Sequence, residues 1–460
     1  MATRFDSIII GTGQAGPPLA ARLAAAGMNV AVIERGRFGG TCVNTGCIPT
    51  KAMVASAYAA HLARRAADYG VAVRGPVEVD MKRVKQRKDE ISQASRRGVE
   101  SWMRGLENCE VIEGHACFES PTSVRVGGDV LHAERIFINV GARAAVPPIP
   151  GIGDVPFLTN SSIMEVDFLP EHLVIVGGSY IGLEFAQMYR RFGARVSIVE
   201  KGSRLIARED VDVSITVQRI LEEEGIDIRL DSECISVRNA GASGIEVGLD
   251  CAEPSRTVLG SHVLLAVGRT PNTGDLRLEN AGVKQDARGY IAVDDELRTT
   301  VPGIFALGDC NGRGAFTHTS YNDHEIVADN LLEGAMRRVT DRIMTYGLFI
   351  DPPLGRVGMT ESEVRASKRK ALIGVRPMSR VGRAVEKGET HGFMKIIVDA
   401  QTKQILGAAI LGPGGDEAIH CLTDAMYAKA PYTVVTHAVH IHPTVAELIP
   451  TVLGELRPFA

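Results

Sequence analysis

Two cysteines, Cys42 and Cys47, stand in the stretch GGTCVNTGCIPTK with four residues between them. A structural zinc site would offer CxxC pairs or nearby histidines, and a thioredoxin-type dithiol also has two intervening residues. The spacing fits neither. Glycines precede the pair, and Pro49, Thr50 and Lys51 follow it at the entry to a helix expected through KAMVASAYAAHLARRAADYG. A helix N-terminus and a lysine both favour thiolate over thiol, so the sulfurs read as reactive rather than inert.

The elements that must position such a pair are announced by an internal echo. FDSIIIGTGQAGPPLAARLAAAGMNVAVIER runs from a strand through a glycine turn and an alanine-rich helix to a strand ending at Glu34. HLVIVGGSYIGLEFAQMYRRFGARVSIVEK repeats that order and ends at Glu200. Each glutamate follows the first glycine of its turn, Gly11 or Gly177, by 23 positions. Two beta-alpha-beta dinucleotide sites are implied. In the first, Gly11 permits the tight turn, Gly13 lets the backbone approach a pyrophosphate and Gly16 allows close helix packing. The second keeps Gly177 and Gly182 but has Ser179 at the middle position, which lowers its specificity.

The bulk composition sets limits on partners. A chain of 460 residues accommodates roughly two to four domains. With 23% charged residues and a formal net charge of -4, no strong field draws it to nucleic acid or to an anionic membrane. The apolar run Ile8 to Ile10 is too short for a signal-peptide core, and no stretch reaches the ~18 to 20 apolar residues of a membrane span. A cytoplasmic location is expected, where disulfides are rare unless catalytic or redox-sensing. Cys109, Cys117, Cys234, Cys251, Cys310 and Cys421 show no ligand spacing and are assigned to packing; no metal site is expected.

Between the echoes, a long basic helix is expected around Met81 to Leu106 and a strand-rich stretch from Val111 to Val140. VPPIPGIGDVP, residues 146–156, reads as a crossing between domains. An apolar strand, Ile304 to Leu307, leads into Gly308-Asp309. From about Thr345 the pattern becomes a separate α+β domain, with FMKIIVDA and QILGAAILG as strands and a helix from Asp416 to Lys429.

These motifs together resemble the class I pyridine nucleotide-disulfide oxidoreductases, the flavoproteins that include glutathione reductase, dihydrolipoamide dehydrogenase and mercuric reductase. The resemblance runs through IIIGTGQAG, GGTCVNTGCIPTK, VIVGGSYIGLE, AVGRTPNT, FALGDC and HPTVAE, nearly the whole chain, and lies nearest the mercuric-reductase-like branch. It implies an α/β fold with two Rossmann-like domains and a C-terminal α+β dimerisation domain. The implied divisions are 1–147 with 271–344 for FAD, 148–270 for NAD(P) and 345–460 for the interface.

The resemblance also implies roles. Gly11, Gly13, Gly16 and Glu34 would hold the ADP part of FAD, and Asp309 its ribityl chain. Gly40, Thr41, Gly141 and Gly268 join the cofactor-binding set. Lys51 would lie near flavin N5 and pair with Glu184, while Gly177, Gly182 and Glu200 would bind the nicotinamide dinucleotide. Cys42 and Cys47 match the redox-active disulfide, with Cys47 facing the flavin as a charge-transfer thiolate and Cys42 exposed to substrate. His442 and Glu447 match a His-Glu dyad that crosses the two-fold axis of an obligate homodimer and moves a proton for Cys42. His440 reads as structural or solvated. The His442–Pro443 peptide bond is expected to be cis.

Glu200 would bond a ribose 2'-hydroxyl and repel a 2'-phosphate, so NADH is expected over NADPH despite Lys201 and Arg204. The leading expectation for function is a reductase that passes electrons from nicotinamide through FAD to the Cys42–Cys47 pair and on to a small-molecule or protein disulfide. A mercuric-reductase-like metal-ion (mercury or copper) or oxidant-stress reductase, and a dihydrolipoamide dehydrogenase, are the alternatives. No cysteine follows Cys421, and no N-terminal metal-binding extension with its own CxxC is seen, which argues against efficient mercury reduction.

Overall fold

The computed structural model describes residues 2–232, 235–250 and 256–459. Five strands run parallel in the spatial order Cys109–Glu113, Val30–Glu34, Ala2–Ile10, Asp129–Ile138, Ile304–Ala306. Their centres, including Ile8 to Ile10, Val30 to Ile33 and Ile136 to Ile138, are buried on both faces. That explains why they read as unbroken apolar runs rather than as alternating patterns. The first half of Asp129–Ile138 also pairs antiparallel with Ser123–Val126, which pairs in turn with Ala116–Ser120.

A second sheet repeats this plan. Asp227–Arg229, Arg195–Val199, His172–Val176 and His262–Leu265 are parallel. An antiparallel excursion of Ser236–Asn239, Ile245–Gly248 and Thr257–Gly260 precedes the last of them. The echo in the sequence is therefore an echo in topology, with the same strand order and the same inserted meander. The chain leaves the first unit along Ala142–Ala144 and returns along Arg269–Pro271, and these two segments pair antiparallel.

The C-terminal part is a six-stranded antiparallel sheet in the order Thr345–Leu348, Leu354–Gly358, Ile405–Leu411, Phe393–Asp399, Ala371–Pro377, Arg457–Pro458. Its core gathers Met394, Ile396 and Val398 with Ile419, Leu422, Ile449 and Val452. The helix expected over residues 416–429 is two short ones, Gly415–Ala418 and His420–Tyr427. The two meet at Ile419, which keeps helical dihedrals and packs closely on Gly355, where a Cβ would lie 2.9 Å from its own. The long charged helix spans Met81–Arg104 and is capped by Asp80, whose carboxylate accepts from the N–H groups of Lys82 and Arg83.

The assignment of the remaining cysteines to packing holds for Cys310, buried in the core of the first unit, and for Cys109, which packs against that unit's other core cluster. Cys117 is partly exposed, and Cys421 is exposed on its helix, so packing does not account for it. Cys234 and Cys251 lie outside the described residues.

One charged side chain inside the C-terminal sheet ties it to the second unit. Lys395, in the fully buried strand Phe393–Asp399, donates to Asp212 and Glu361 at 2.7 Å and approaches Asp210 at 2.9 Å. The three carboxylates lie within 4.8 Å of one another, and the ammonium sits among them. Buried Arg356 approaches Asp210 at 3.1 Å. Burial raises the Asp210 carboxyl, but Arg356 and Lys395 outweigh it and hold it below the usual carboxylate range. Its contribution to stability is thus present at neutral pH and lost only in strong acid. Lys395→Met leaves these carboxylates uncompensated and is expected to destabilise the fold by about 3–5 kcal/mol at neutral pH, measured by denaturant unfolding. Lowering the pH towards the carboxylate range should shrink that difference.

Candidate active site

The redox segment is built by two glycine constraints. Gly39 and Gly40 take left-handed conformations (φ +88° and +61°) and open the short helix Gly40–Asn44 that carries Cys42. At Gly46 a Cβ would lie 2.8 Å from the Thr41 carbonyl oxygen and 3.1 Å from Cys42 Cα. Only glycine lets the chain fold back so closely, and the next residue, Cys47, begins the 18-residue helix Cys47–Arg64. The Asn44 amide closes the turn by donating to the Phe38 and Gly40 carbonyls, both at 2.9 Å.

Cys42 and Cys47 lie within hydrogen-bonding reach of each other as free cysteines. Hydrogen bonding with Cys42 is the largest influence on Cys47. The Thr317 hydroxyl, 3.2 Å from its sulfur, and the Lys51 ammonium add to it against burial, and the thiol is brought down to about 6. Cys42 moves the opposite way, pushed up first by its hydrogen bond to Cys47 and then by burial. One proton is therefore shared unequally. The thiolate is favoured at Cys47, and the proton is favoured on Cys42.

Cys47 is exposed in the single chain whereas Cys42 is half-buried. Cys42 packs against the Gly46 turn, and Cys47 lies at its helix start beside Thr317.

Lys51 lies one helical turn beyond Cys47, donates to Glu184 at 2.7 Å and sits 4.3 Å from the centroid of the Phe349 ring. Glu184 belongs to the second unit's helix Tyr180–Phe192, and its other oxygen accepts from the Phe349 N–H at 3.0 Å. Three distant stretches thus converge on one ammonium.

The two glycine turns have matching geometry. A Cβ on Gly11 would lie 2.4 Å from the Asn139 carbonyl oxygen, and one on Gly177 2.5 Å from that of Ala266. Gly16 and Gly182 each leave no room for a Cβ against the first glycine's carbonyl oxygen, at 2.3 and 2.1 Å. Glu34 accepts from the N–H groups of Thr12 and Gly36 at 2.9 and 2.8 Å. Glu200 accepts from Gly178 and Gly202 at 2.5 and 2.7 Å. Each carboxylate therefore bridges its own glycine turn and the residue two positions further on.

Gly40 packs on the first turn, since a Cβ there would be 2.9 Å from Gly13 Cα. Thr41 lies within the Cys42 helix and is partly buried. Gly141 and Gly268 have φ of +64° and +121° with open space around them, so conformation rather than close packing requires glycine. Asp309 pairs with Arg269 at 3.1 Å, and burial, its largest influence, raises its carboxyl.

At the far end, His442 Nδ1 lies 2.9 and 3.0 Å from the two oxygens of Glu447, and the His442–Pro443 bond is cis. Held as the Nδ1–H donor, the imidazole keeps Nε2 free to accept a proton. No hydrogen bond joins this dyad to Cys42 or Cys47 within one chain among the described residues, and the His442 side chain is 81% exposed. His440 is bonded only to the Ala438 carbonyl among the described residues.

Sequence reasoning missed Thr317, Asn139, Phe349 and Gly46. Asn139 accepts from Gly16 N–H at 3.0 Å and donates to the Leu307 carbonyl at 3.0 Å, joining the first turn to the Ile304–Ala306 strand. Its partners are more than a hundred residues away. Gly46 alone carried a readable signal, as a glycine between two cysteines.

The fold and this thiol site define a flavoprotein disulfide reductase, and the comparisons bear directly on it. The chain belongs to the pyridine nucleotide-disulphide oxidoreductase family, whose model matches residues 5–323 and whose dimerisation-domain model matches residues 344–453. It is 37% identical over 452 residues to the probable pyridine nucleotide-disulfide oxidoreductase RclA of Escherichia coli K12, covering 96% of this chain and 97% of that one. A dihydrolipoyl dehydrogenase of Haloferax volcanii is 32% identical, covering 98% of this chain and 95% of its own. A mercuric reductase of Streptomyces lividans is also 32% identical, covering 97% and 95%. The solved Cu(II) complex of the HOCl-induced flavoprotein disulfide reductase RclA from Escherichia coli superposes with a TM-score of 0.89 at 36% identity, covering 98% of this chain and 99% of that one.

The protein is thus an FAD-dependent, pyridine-nucleotide-linked oxidoreductase acting on sulfur groups, and a homodimer. Its residues fit the flavin cofactor. The turn at Gly11, Gly13 and Gly16 has no room for side chains against Asn139 and its own backbone, so it stays a bare backbone turn at the helix start, as a dinucleotide site requires, and Glu34 accepts from the Thr12 N–H beside it. Among the described residues no helix is long and apolar enough to cross a membrane.

Thr317→Val removes the hydroxyl beside Cys47. The half-point of Cys47 thiolate formation, read as the pH profile of alkylation in the reduced enzyme, should move upward from about 6.

Proposed function

We propose that the protein is an NADH-dependent oxidant-stress disulfide reductase whose Cys42–Cys47 pair delivers electrons to a disulfide acceptor. The observation that carries the proposal is the asymmetric thiol pair, with Cys47 held at about 6 beside Thr317 and Lys51 and Cys42 held protonated. A relative 37% identical to this chain is the RclA reductase, whose solved structure is described as HOCl-induced.

Gly11, Gly13, Gly16, Gly40, Thr41, Glu34 and Asp309 would hold FAD, and Gly177, Gly182 and Glu200 the nicotinamide nucleotide, with Gly141 and Gly268 at the crossing between the two units. When bound, FAD relays electrons from the nicotinamide to the cysteine pair. Glu200 would accept from a ribose 2'-hydroxyl and repel a 2'-phosphate, which favours NADH.

The chain's own groups then carry out thiol exchange. His442 of the partner subunit takes the Cys42 proton, with Glu447 of the partner subunit stabilising the imidazolium. Cys42 attacks one sulfur of the acceptor, forming a mixed disulfide as the acceptor bond breaks. The departing thiolate takes the proton back from the imidazolium. The Cys47 thiolate attacks Cys42 sulfur, releasing the second acceptor thiolate, which is protonated from solvent, and closing the Cys42–Cys47 disulfide. One acceptor disulfide has become two thiols.

A second reading is reduction of a soft metal ion as substrate, favoured by the Cu(II) complex of the relative. A metal ion has no thiol leaving group to protonate. Glu447→Gln should therefore lower disulfide reduction by about 10²-fold or more while leaving metal-ion reduction nearly unchanged, measured by steady-state turnover on each acceptor. Equal losses on both would remove the assigned role of the dyad.

Anaerobic titration of the oxidised enzyme with NADH tests the route itself. A long-wavelength charge-transfer band is expected in the wild type and not in Cys47→Ser, and NADH should outperform NADPH in turnover. Direct bleaching of the flavin without that band would exclude the cysteines as carriers.

A further inference from the structure

A polar cleft of about 250 Å³ lies between the loop that carries Cys42 and the charged helix Met81–Arg104. Arg37 and Asn44 come from the loop; Lys85, Lys88, Ser92 and Arg96 come from the helix, and Glu165 closes one side. The charges are not evenly matched. Lys85 is neutralised by Asp89 and Glu165 at 2.7 and 3.2 Å, and Lys88 by Asp89 together with the Met164 carbonyl. Asp89 is held below the usual carboxylate range, because the two lysines outweigh its burial.

Arg37 and Arg96 remain. Neither guanidinium has a carboxylate or carbonyl partner among the described residues, and both line the cleft from opposite elements. Ser92 supplies a third, independent feature. It is more than nine-tenths buried in the cleft wall, and its hydroxyl has no hydrogen-bond partner among the described residues. A buried hydroxyl left unpaired is unusual in a folded protein and marks a place where a partner belongs.

We propose that this cleft binds a small phosphate-bearing anion. Two arginine forks approaching from separate elements match the several oxygens of a phosphate, and a serine hydroxyl supplies one further donor. The carboxylates of Asp89 and Glu165 are already occupied by lysines, so the unneutralised charge facing a ligand is positive. An anion held this way cross-links the loop bearing Cys42 to the helix, since Arg37 and Asn44 lie on one side and Ser92 and Arg96 on the other. The cleft volume exceeds that of inorganic phosphate, which leaves room for an organic group attached to it.

The test uses the FAD-loaded dimer, so that the cofactor's own phosphates are already accommodated elsewhere. Inorganic phosphate is titrated calorimetrically at constant ionic strength balanced with chloride. Saturable binding is expected, weakened about tenfold by Arg37→Ala and by Arg96→Ala, less by Ser92→Ala, and unchanged by the remote control Arg238→Ala. Repeating the titration with glycerol 2-phosphate separates the sources: tighter binding than phosphate assigns a phosphomonoester, and equal or weaker binding assigns the free ion. Heat that does not saturate, or the same affinity in Arg37→Ala and Arg96→Ala as in the wild type, overturns the proposal. Because turnover is not the readout, its outcome is independent of the acceptor.

Discussion

The contact between Lys51 and Glu184 holds the catalytic half of this molecule in register. Lys51 lies one turn from Cys47, and Glu184 lies on the helix that opens the second dinucleotide unit. The Glu184 side chain is well buried and the lysine only partly so. An ion pair on an open surface contributes ~0–1 kcal/mol, but burying one partner makes its loss costly. Phe349 completes the joint by donating its N–H to Glu184 and placing its ring under the ammonium. The redox helix, the second unit and the start of the C-terminal domain are thereby aligned through one positive charge, which also favours the Cys47 thiolate.

Around that joint the molecule uses the same device twice. A glycine turn with no room for side chains is locked by a carboxylate from the end of the next strand, Glu34 in one unit and Glu200 in the other. Their surroundings then diverge. The first turn is stitched to the redox loop, where the Gly39 N–H donates to the Thr12 carbonyl and the Gln14 amide to the Gly39 carbonyl. The second faces aromatic residues instead: Tyr180 packs edge-on against Phe316 and Tyr346, and Phe316 precedes Thr317. A duplicated binding plan has acquired two environments, one beside the sulfurs and one reaching them through an aromatic cluster.

The C-terminal sheet is joined to this assembly by charge as well as by apolar packing. Tyr346 donates to buried Glu209, and Arg356 and Lys395 satisfy Asp210 a residue further along. The network therefore fixes the segment leading into the helix Val211–Glu223 of the second unit. Burying so many charges is tolerable only because most are paired, and their mutual dependence makes the domain contact specific. The same domain carries His442 and Glu447 on an exposed surface, where Val439 and Ile441 are also exposed. A homodimer gives that surface a partner.

The sequence by itself determined the features that depend on neighbours along the chain. The glycine turns, the acids 23 residues after them, the unbroken apolar strands and the cysteine spacing follow from local backbone sterics and from burial on both sheet faces. The His442–Glu447 contact spans only five positions, and it was the family resemblance of HPTVAE that pointed to it. The helical character of the Asp416 to Lys429 segment was legible from its apolar spacing, whereas its division at Ile419 and the close packing of that residue on Gly355 were not. Only the tertiary structure decided that Thr317 stands beside Cys47, that Asn139 braces the first turn, and that Lys395 is surrounded by three carboxylates. Those contacts join residues from 123 to 270 positions apart, or gather several segments around one charge. Their energies arise only after the sheets have brought the segments together, so no periodicity or spacing along the chain records them.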